Sequence, residues 1–300
     1  MVPNVAGSNP VDRPLFPSQA SNLLLNSSND MTLWQAFLLG IIQGITEFLP
    51  ISSSGHLILG QYFLGFEELQ DYILFNLVCH LGTLTAILYL FFPIVKESLN
   101  IYHPRFWQIF LGTLPLFPLV LILKPIKSLF DQPEFLGPCF LISAGILFTS
   151  LYCRFPFTRH RTALPPYKWQ DSLTIGLFQA IAILPGISRS GSTISAARLL
   201  GWSKESAIQF SFLLAIPAIL GGSLLEGWHA WRSPNDTLPS LNPWIFIVGF
   251  FTSCLVGTFS LWILIRLVIQ DKWNYFAWYC LVLGIATTVY FNGSSPFLMG

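Results

Sequence analysis

Glu47, Ser53 and His56 stand close together in one stretch, Gln43-Gly-Ile-Thr-Glu47-Phe-Leu-Pro50-Ile-Ser52-Ser53-Ser54-Gly55-His56, with apolar chain on both sides. Insertion scales put the cost of a charge in lipid at about 2.5–3.5 kcal/mol, so a carboxylate here marks a functional site by default. Gln43 and Glu47 are four residues apart and share a helix face. Their oxygens suit a hard divalent cation, Mg²⁺ or Ca²⁺. Ser53 precedes His56 by three, and a hydroxyl and an imidazole within one turn can act as nucleophile and base. Other readings stand beside these. Ser52 and Ser54 follow the helix-ending Pro50 and read equally well as caps of the next helix, and His56 reads also as a simple hydrogen-bonding residue.

A second stretch carries the complementary charge. Pro185-Gly186-Ile187-Ser188-Arg189-Ser190-Gly191-Ser192-Thr193 sets a guanidinium among hydroxyls and small residues. A helix start attracts anions, and a guanidinium matches phosphate bidentately; an Arg snorkelling to a lipid headgroup is the plainer alternative. The two stretches are copies. Aligned at an offset of 136, residues 40–66 and 176–202 share ten identities in 27 positions, among them Gly40/Gly176, Gln43/Gln179, Ser52/Ser188, Ser54/Ser190 and Gly55/Gly191. Gly, Gln and Ser matches in one register indicate an internal repeat. Where the copies diverge, Glu47 aligns with Ile183, Ser53 with Arg189 and His56 with Ser192. One copy holds acid, nucleophile and base; the other holds the cation. Together they predict one composite site.

The elements that must position this site are membrane elements. Of 300 residues, 53% are hydrophobic and only 10% charged, against roughly 25% charged in soluble domains. The fold class is all-α, a polytopic membrane protein. Apolar stretches at 72–94, 108–123, 135–153, 207–225, 243–266 and 275–291 predict about six transmembrane helices. Two further pairs, 33–49 with 57–66 and 172–184 with 193–200, are broken by Pro, Gly and Ser. Such interrupted segments in two halves point to a midplane site built from discontinuous helices, so each pair is expected to be a re-entrant helix-turn-helix.

If the hairpins do not cross, the 95–107, 154–171, 202–206 and 267–274 connections share one face with Arg266. That face carries nine Lys and Arg, the opposite face four, and Arg189 and Arg198 lie in the second hairpin. The richer face is assigned to the cytoplasm. Both termini are then outside and the hairpins enter from opposite sides, as inverted-topology repeats (about 31–123 and 168–266, with an additional C-terminal helix at 275–291). The whole forms a single domain over 31–292, and the site opens to the outer face. Residues 1–30, rich in Ser, Asn and Pro, read as a disordered extension rather than a signal peptide.

The remaining polar residues carry less. Net charge is +1 with no basic patch, which argues against nucleic acid. Cys79, Cys139, Cys153, Cys254 and Cys280 form no CxxC pair and read as small hydrophobes. His80, His103, His160 and His229 stand in no comparable company. Trp34, Trp107, Tyr152, Trp169, Trp228, Trp244, Trp273 and Trp278 lie near segment ends, as interfacial anchors do.

The motifs carry a resemblance. Gln43-x-x-x-Glu47 followed by Pro50-x-Ser52-Ser53-Ser54-Gly55-His56 resembles the first motif of the undecaprenyl-diphosphate phosphatases, the bacitracin-resistance integral membrane phosphatases. Pro185 to Thr193 matches their second motif in full, and Phe210 to Pro217 is also similar; the likeness runs from about residue 31 to 291. It implies hydrolysis of a polyprenyl diphosphate lipid to the monophosphate in the bacterial inner membrane, with a divalent metal ion. By motif, Glu47 would bind metal or act as acid/base, Ser53 would be the nucleophile with His56 its base, and Arg189 with Ser188, Ser190 and Thr193 would hold the diphosphate. The motif leaves open whether Ser53 or His56 attacks. Gln43 takes the neutral option of its position, which should weaken metal binding. Membrane lipids, and a second copy in a homodimer, are the other expected partners. The rival class is a lipid-phosphate transporter or flippase, since broken helices in inverted repeats are also a transporter architecture.

Overall fold

The computed structural model describes residues 31–66, 72–118, 132–153, 168–232 and 242–293, and every regular element among them is helical. In order they are α1 (Leu33–Thr46), α2 (Ser53–Phe63), α3 (Ile73–Leu90), α4 (Phe92–Ser98), α5 (Pro104–Thr113), α6 (Leu136–Tyr152), α7 (Trp169–Ile181), α8 (Arg189–Leu199), α9 (Lys204–Arg232), α10 (Pro243–Ile269) and α11 (Asn274–Gly293). A 3₁₀ turn, Pro133–Phe135, leads into α6.

The broken pairs form as two helical hairpins. Thr32 and Gln35 make a capping box that starts α1. Pro50 ends it, because a proline offers no N–H and disfavours helix in the residue before it. In the second hairpin Pro185 does the same, and Gly186 turns the chain with φ +92°, where an L side chain is strained. The offset of 136 carries the start of α1 onto that of α7 (33 + 136 = 169) and α2 onto α8 (53 + 136 = 189, 63 + 136 = 199).

Close approach of small residues fixes the packing, as is usual where helices meet in membranes. A Cβ on Gly44 of α1 would stand 2.8 Å from Gly257 N, and one on Gly82 of α3 2.5 Å from Phe250 O. Both α1 and α3 therefore lie directly on α10. In the other half, a Cβ on Gly176 of α7 would stand 2.3 Å from Gly112 O of α5. Each hairpin's first helix is thus braced by a helix from the other half, α1 by α10 and α7 by α5. Between them lies an apolar core in which Phe48 and Phe91 both contact the ring of Phe212.

Among the described residues, five helices are long and apolar enough to cross a membrane: Ile73–Leu90, Pro133–Tyr152, Lys204–Trp228, Pro243–Ile269 and Asn274–Phe291. Eighteen residues of helix span about 27 Å, close to the hydrocarbon thickness. The sixth expected span, 108–123, is not seen as one helix among the described residues. Its helix stops at Thr113, ahead of Pro115, and residues 119–131 lie outside the described set. The 1–30 extension and His160 also lie outside it.

All five cysteines are free. Trp273 corrects one expectation. It is fully buried and its Nε1 donates to Ser150 Oγ at 3.2 Å, so it is a core residue, whereas Trp34, Trp107, Tyr152, Trp169, Trp228, Trp244 and Trp278 are exposed.

Candidate active site

Glu47 caps the C-terminus of α1, and its carboxylate is buried where the two hairpins meet. Its oxygens have different partners. Oε1 accepts from Arg189 Nη2, the first residue of α8. Oε2 accepts from Ser53 Oγ at 2.7 Å and from Gln43 Nε2 at 3.0 Å, with His80 Nδ1 3.2 Å away. One carboxylate therefore joins both hairpins and α3. A buried charge is tolerable only when paired and hydrogen-bonded, and Glu47 is both. The expected pairing of the two copies, acid and hydroxyl against cation, is present in the geometry.

Two groups in the cluster keep unused capacity. Arg189 Nη1 and Gln43 Oε1 are buried and have no hydrogen-bond partner among the described residues. Such groups are expensive to leave unmet, which suits a site that receives a ligand. Ser53 is the first residue of α2, and Ser52, its N-cap, makes no side-chain capping bond. The first-turn amides of α2 are thus left for an anion. In α8 the corresponding place is filled, because Ser188 Oγ accepts from Gly191 N at 3.1 Å.

His56 does not pair with Ser53. Its Nδ1 lies 2.7 Å from Ser52 O and its Nε2 2.8 Å from Tyr279 Oη, while the ring stacks on Tyr279 and meets Phe140 edge-on. A carbonyl can only accept, so Nδ1 is the donor there and the imidazole is committed to the turn. Ser52 has φ +71°, an uncommon region for a residue with a side chain, and His56 helps to hold it. The partner of Ser53 is Glu47.

The other hydroxyls expected to hold substrate make bonds within the protein, and those of Ser52 and Ser190 join the two hairpins. Ser52 Oγ accepts from Gly186 N at 3.1 Å and lies 3.4 Å from Ser54 Oγ; Ser190 Oγ donates to Leu49 O at 3.2 Å. Ser188 Oγ lies 3.3 Å from Ser190 Oγ, and Thr193 Oγ1 lies 2.6 Å from Ser211 Oγ on α9. Ser143 of α6 donates to Gly186 O and accepts from Ser188 N, both at 2.9 Å. The bonds of Ser52 to Gly186, Ser190 to Leu49 and Ser143 to Gly186 and Ser188 run between segments far apart in sequence, so local spacing could not assign them.

His80 is the residue that sequence reasoning set aside. It sits midway along α3, with Nδ1 2.7 Å from Gln43 Nε2, and Gln43 also reaches Thr83 Oγ1 at 3.4 Å. Its signal was an imidazole inside an otherwise apolar span.

Comparison with known proteins adds a family and a set of relatives. The profile of the family described as bacitracin resistance protein BacA matches residues 36–286. A protein of Protochlamydia amoebophila named undecaprenyl-diphosphatase is 62% identical over 262 residues, 87% of this chain and 100% of its own length. Proteins of the same name from Carboxydothermus hydrogenoformans and Treponema denticola are 36% and 35% identical, over 86% and 88% of this chain and 97% and 99% of their own.

Proposed function

The chain belongs to the bacitracin resistance protein BacA family, and from that premise we propose that the Glu47–Ser53–Arg189 cluster is where its phosphatase chemistry takes place. The chain dephosphorylates undecaprenyl diphosphate to undecaprenyl phosphate and phosphate. That returns the lipid carrier to cell-wall synthesis and fits the family's bacitracin resistance. It is an integral protein of the bacterial inner membrane.

One observation carries the assignment of roles: the Ser53 hydroxyl donates to a carboxylate whose other oxygen holds Arg189. Ser53 Oγ attacks the terminal phosphorus while Glu47 Oε2 takes its proton. The bridging P–O bond breaks, undecaprenyl phosphate leaves with the proton from Glu47, and phosphate stays on Ser53. Water, deprotonated toward Glu47, then attacks that phosphorus, and Ser53 Oγ recovers a proton as phosphate departs. Arg189 and the uncapped amides of α2 stabilise the charge that develops on the phosphoryl oxygens.

The donor set fits a divalent cation in a limited way. Glu47 supplies a carboxylate and Gln43 Oε1 is an orphaned buried oxygen. Oxygen donors of this kind are the ones that Mg²⁺ or Ca²⁺ would take. Gln43 and Glu47 would hold it, and when bound it would neutralise diphosphate charge.

The orientation derived from charge has structural support. Lys204 pairs with Asp271 and donates to Ile269 O, and Arg105 shares a small cleft with Trp202 and Ser206. The 95–107, 202–206 and 267–274 connections thus gather at one end, in keeping with a cytoplasmic face there and a site opening outward between re-entrant hairpins. A transporter reading is not favoured, since a binding site has no need of a hydroxyl aimed at a carboxylate.

The test is phosphate release from undecaprenyl diphosphate by the purified full-length protein in detergent. Ser53→Ala should lower the rate about a thousandfold or more. A Ser53→Ala protein with near wild-type turnover would remove Ser53 from the chemistry.

A further inference from the structure

Gln43, Glu47 and His80 form a closed triangle of polar groups. Gln43 Nε2 lies 3.0 Å from Glu47 Oε2 and 2.7 Å from His80 Nδ1, and Nδ1 lies 3.2 Å from Oε2. Gln43 lies on α1 and Glu47 caps it, whereas His80 comes from α3, 33 residues beyond Glu47. The approach is enforced by packing, because α1 and α3 both press on α10 through Gly44 and Gly82. Ser253 Oγ of α10 also donates to Cys79 O, one residue before His80, at 2.9 Å.

We infer that His80 is a positioning residue for the phosphatase reaction, holding Gln43 and Glu47 so that the carboxylate oxygen shared with Ser53 stays aimed at the nucleophile. The inference rests on the functional reading of Glu47 and Ser53 above. Glu47 is pulled two ways: Arg189 draws Oε1 toward α8, while Ser53 needs Oε2 at the start of α2. Gln43 steadies Oε2, and Gln43 is steadied in turn by the imidazole. Without the ring, the Gln43 amide keeps only Glu47 and the more distant Thr83, and the carboxylate can turn wholly to Arg189. The polar partners of the His80 ring are Gln43 and Glu47 and not Ser53, so its effect passes through Glu47.

His80→Leu and His80→Asn, in the full-length protein in detergent, separate this from a general structural role. An Asn side chain places a polar atom where Nδ1 stands, and Leu fills similar space with none. His80→Leu should lower kcat about 10- to 100-fold, as loss of a supporting partner commonly does, with KM within about threefold of wild type. His80→Asn should recover most of that loss. In a double-mutant cycle, His80→Leu should add little to Glu47→Gln, since both act on one oxygen.

Wild-type kcat in a folded His80→Leu protein would overturn the inference. So would an Asn variant no better than Leu, or losses from His80→Leu and Glu47→Gln that multiply. If instead Ser53→Ala and Glu47→Gln both keep wild-type turnover, it is the assignment of the catalytic groups that fails. Thermal unfolding of each variant, within a few degrees of wild type, shows that the chain still folds; Leu and Asn variants that both unfold early and lose activity alike would make His80 structural and overturn the inference as well.

Discussion

Ser53 Oγ donates to Glu47 Oε2 at 2.7 Å, across the Pro50 turn that separates α1 from α2. Sequence spacing favoured His56 as the base, because it lies one helical turn from Ser53. In space the nearer basic group precedes the serine, on the helix before the break.

Glu47→Gln should therefore lower kcat by about 10²- to 10⁴-fold, the range for losing a general base. His56→Asn should be milder than His56→Ala by about tenfold, because Asn can still donate to Ser52 O and hold the turn. Steady-state phosphate release by the three variants checks both statements. A His56→Asn protein as inactive as Ser53→Ala would return the base to His56.

The Glu47–Arg189 pair should also be visible in stability. Removing one partner of a buried pair leaves an uncompensated charge and costs about 3–5 kcal/mol. Glu47→Ala alone should lower the unfolding midpoint in detergent, and adding Arg189→Ala should restore part of it. Equal midpoints for the single and double variants would show that the charge is not isolated by the first substitution.

Gly186→Ala is expected to damage the junction of the hairpins. The residue has φ +92°, and a Cβ there would lie 2.6 Å from Cys139 Cβ and 3.1 Å from Leu136 O. Strain and overpacking together predict a loss of about 2–4 kcal/mol. Because Gly186 N also binds Ser52 Oγ, activity should fall with stability, read by thermal unfolding alongside turnover.

Metal dependence can be tested from the ligand side. A chelator should suppress phosphate release, and Mg²⁺ or Ca²⁺ should restore it. Gln43→Glu, which adds a second carboxylate, should lower the metal concentration giving half-maximal activation by about tenfold. An activation curve unmoved by Gln43→Glu would exclude that side chain as a ligand.

How much was legible in the chain depended on whether a residue's role was local. Glu47 and Arg189 stood out because charge is costly in apolar sequence, and the repeat alone was enough to pair them. The hairpins were legible for a similar reason, since Pro50, Pro185 and Gly186 interrupt otherwise continuous apolar runs. The bonds of Ser52 to Gly186, Ser190 to Leu49 and Thr193 to Ser211 were not legible, because those partners lie on other elements. His80 was passed over because only the packing of α3 on α10 carries it to Gln43. Trp273 looked like an interface residue because a segment end says nothing about which neighbour covers it.

The bond between Glu47 and Arg189 has a consequence for the idle molecule. Between turnovers, the carboxylate occupies the guanidinium as a built-in counter-anion, so the emptied centre carries little net charge in a poorly polarisable surrounding. An arriving anion must displace that tenant, at least in part, before Arg189 can serve it. A singly charged solute gains little from the exchange, whereas a diphosphate brings several oxygens at once. With Arg189 holding the diphosphate as proposed, the contact that joins the hairpins should act as a threshold that favours polyanions over weak anions.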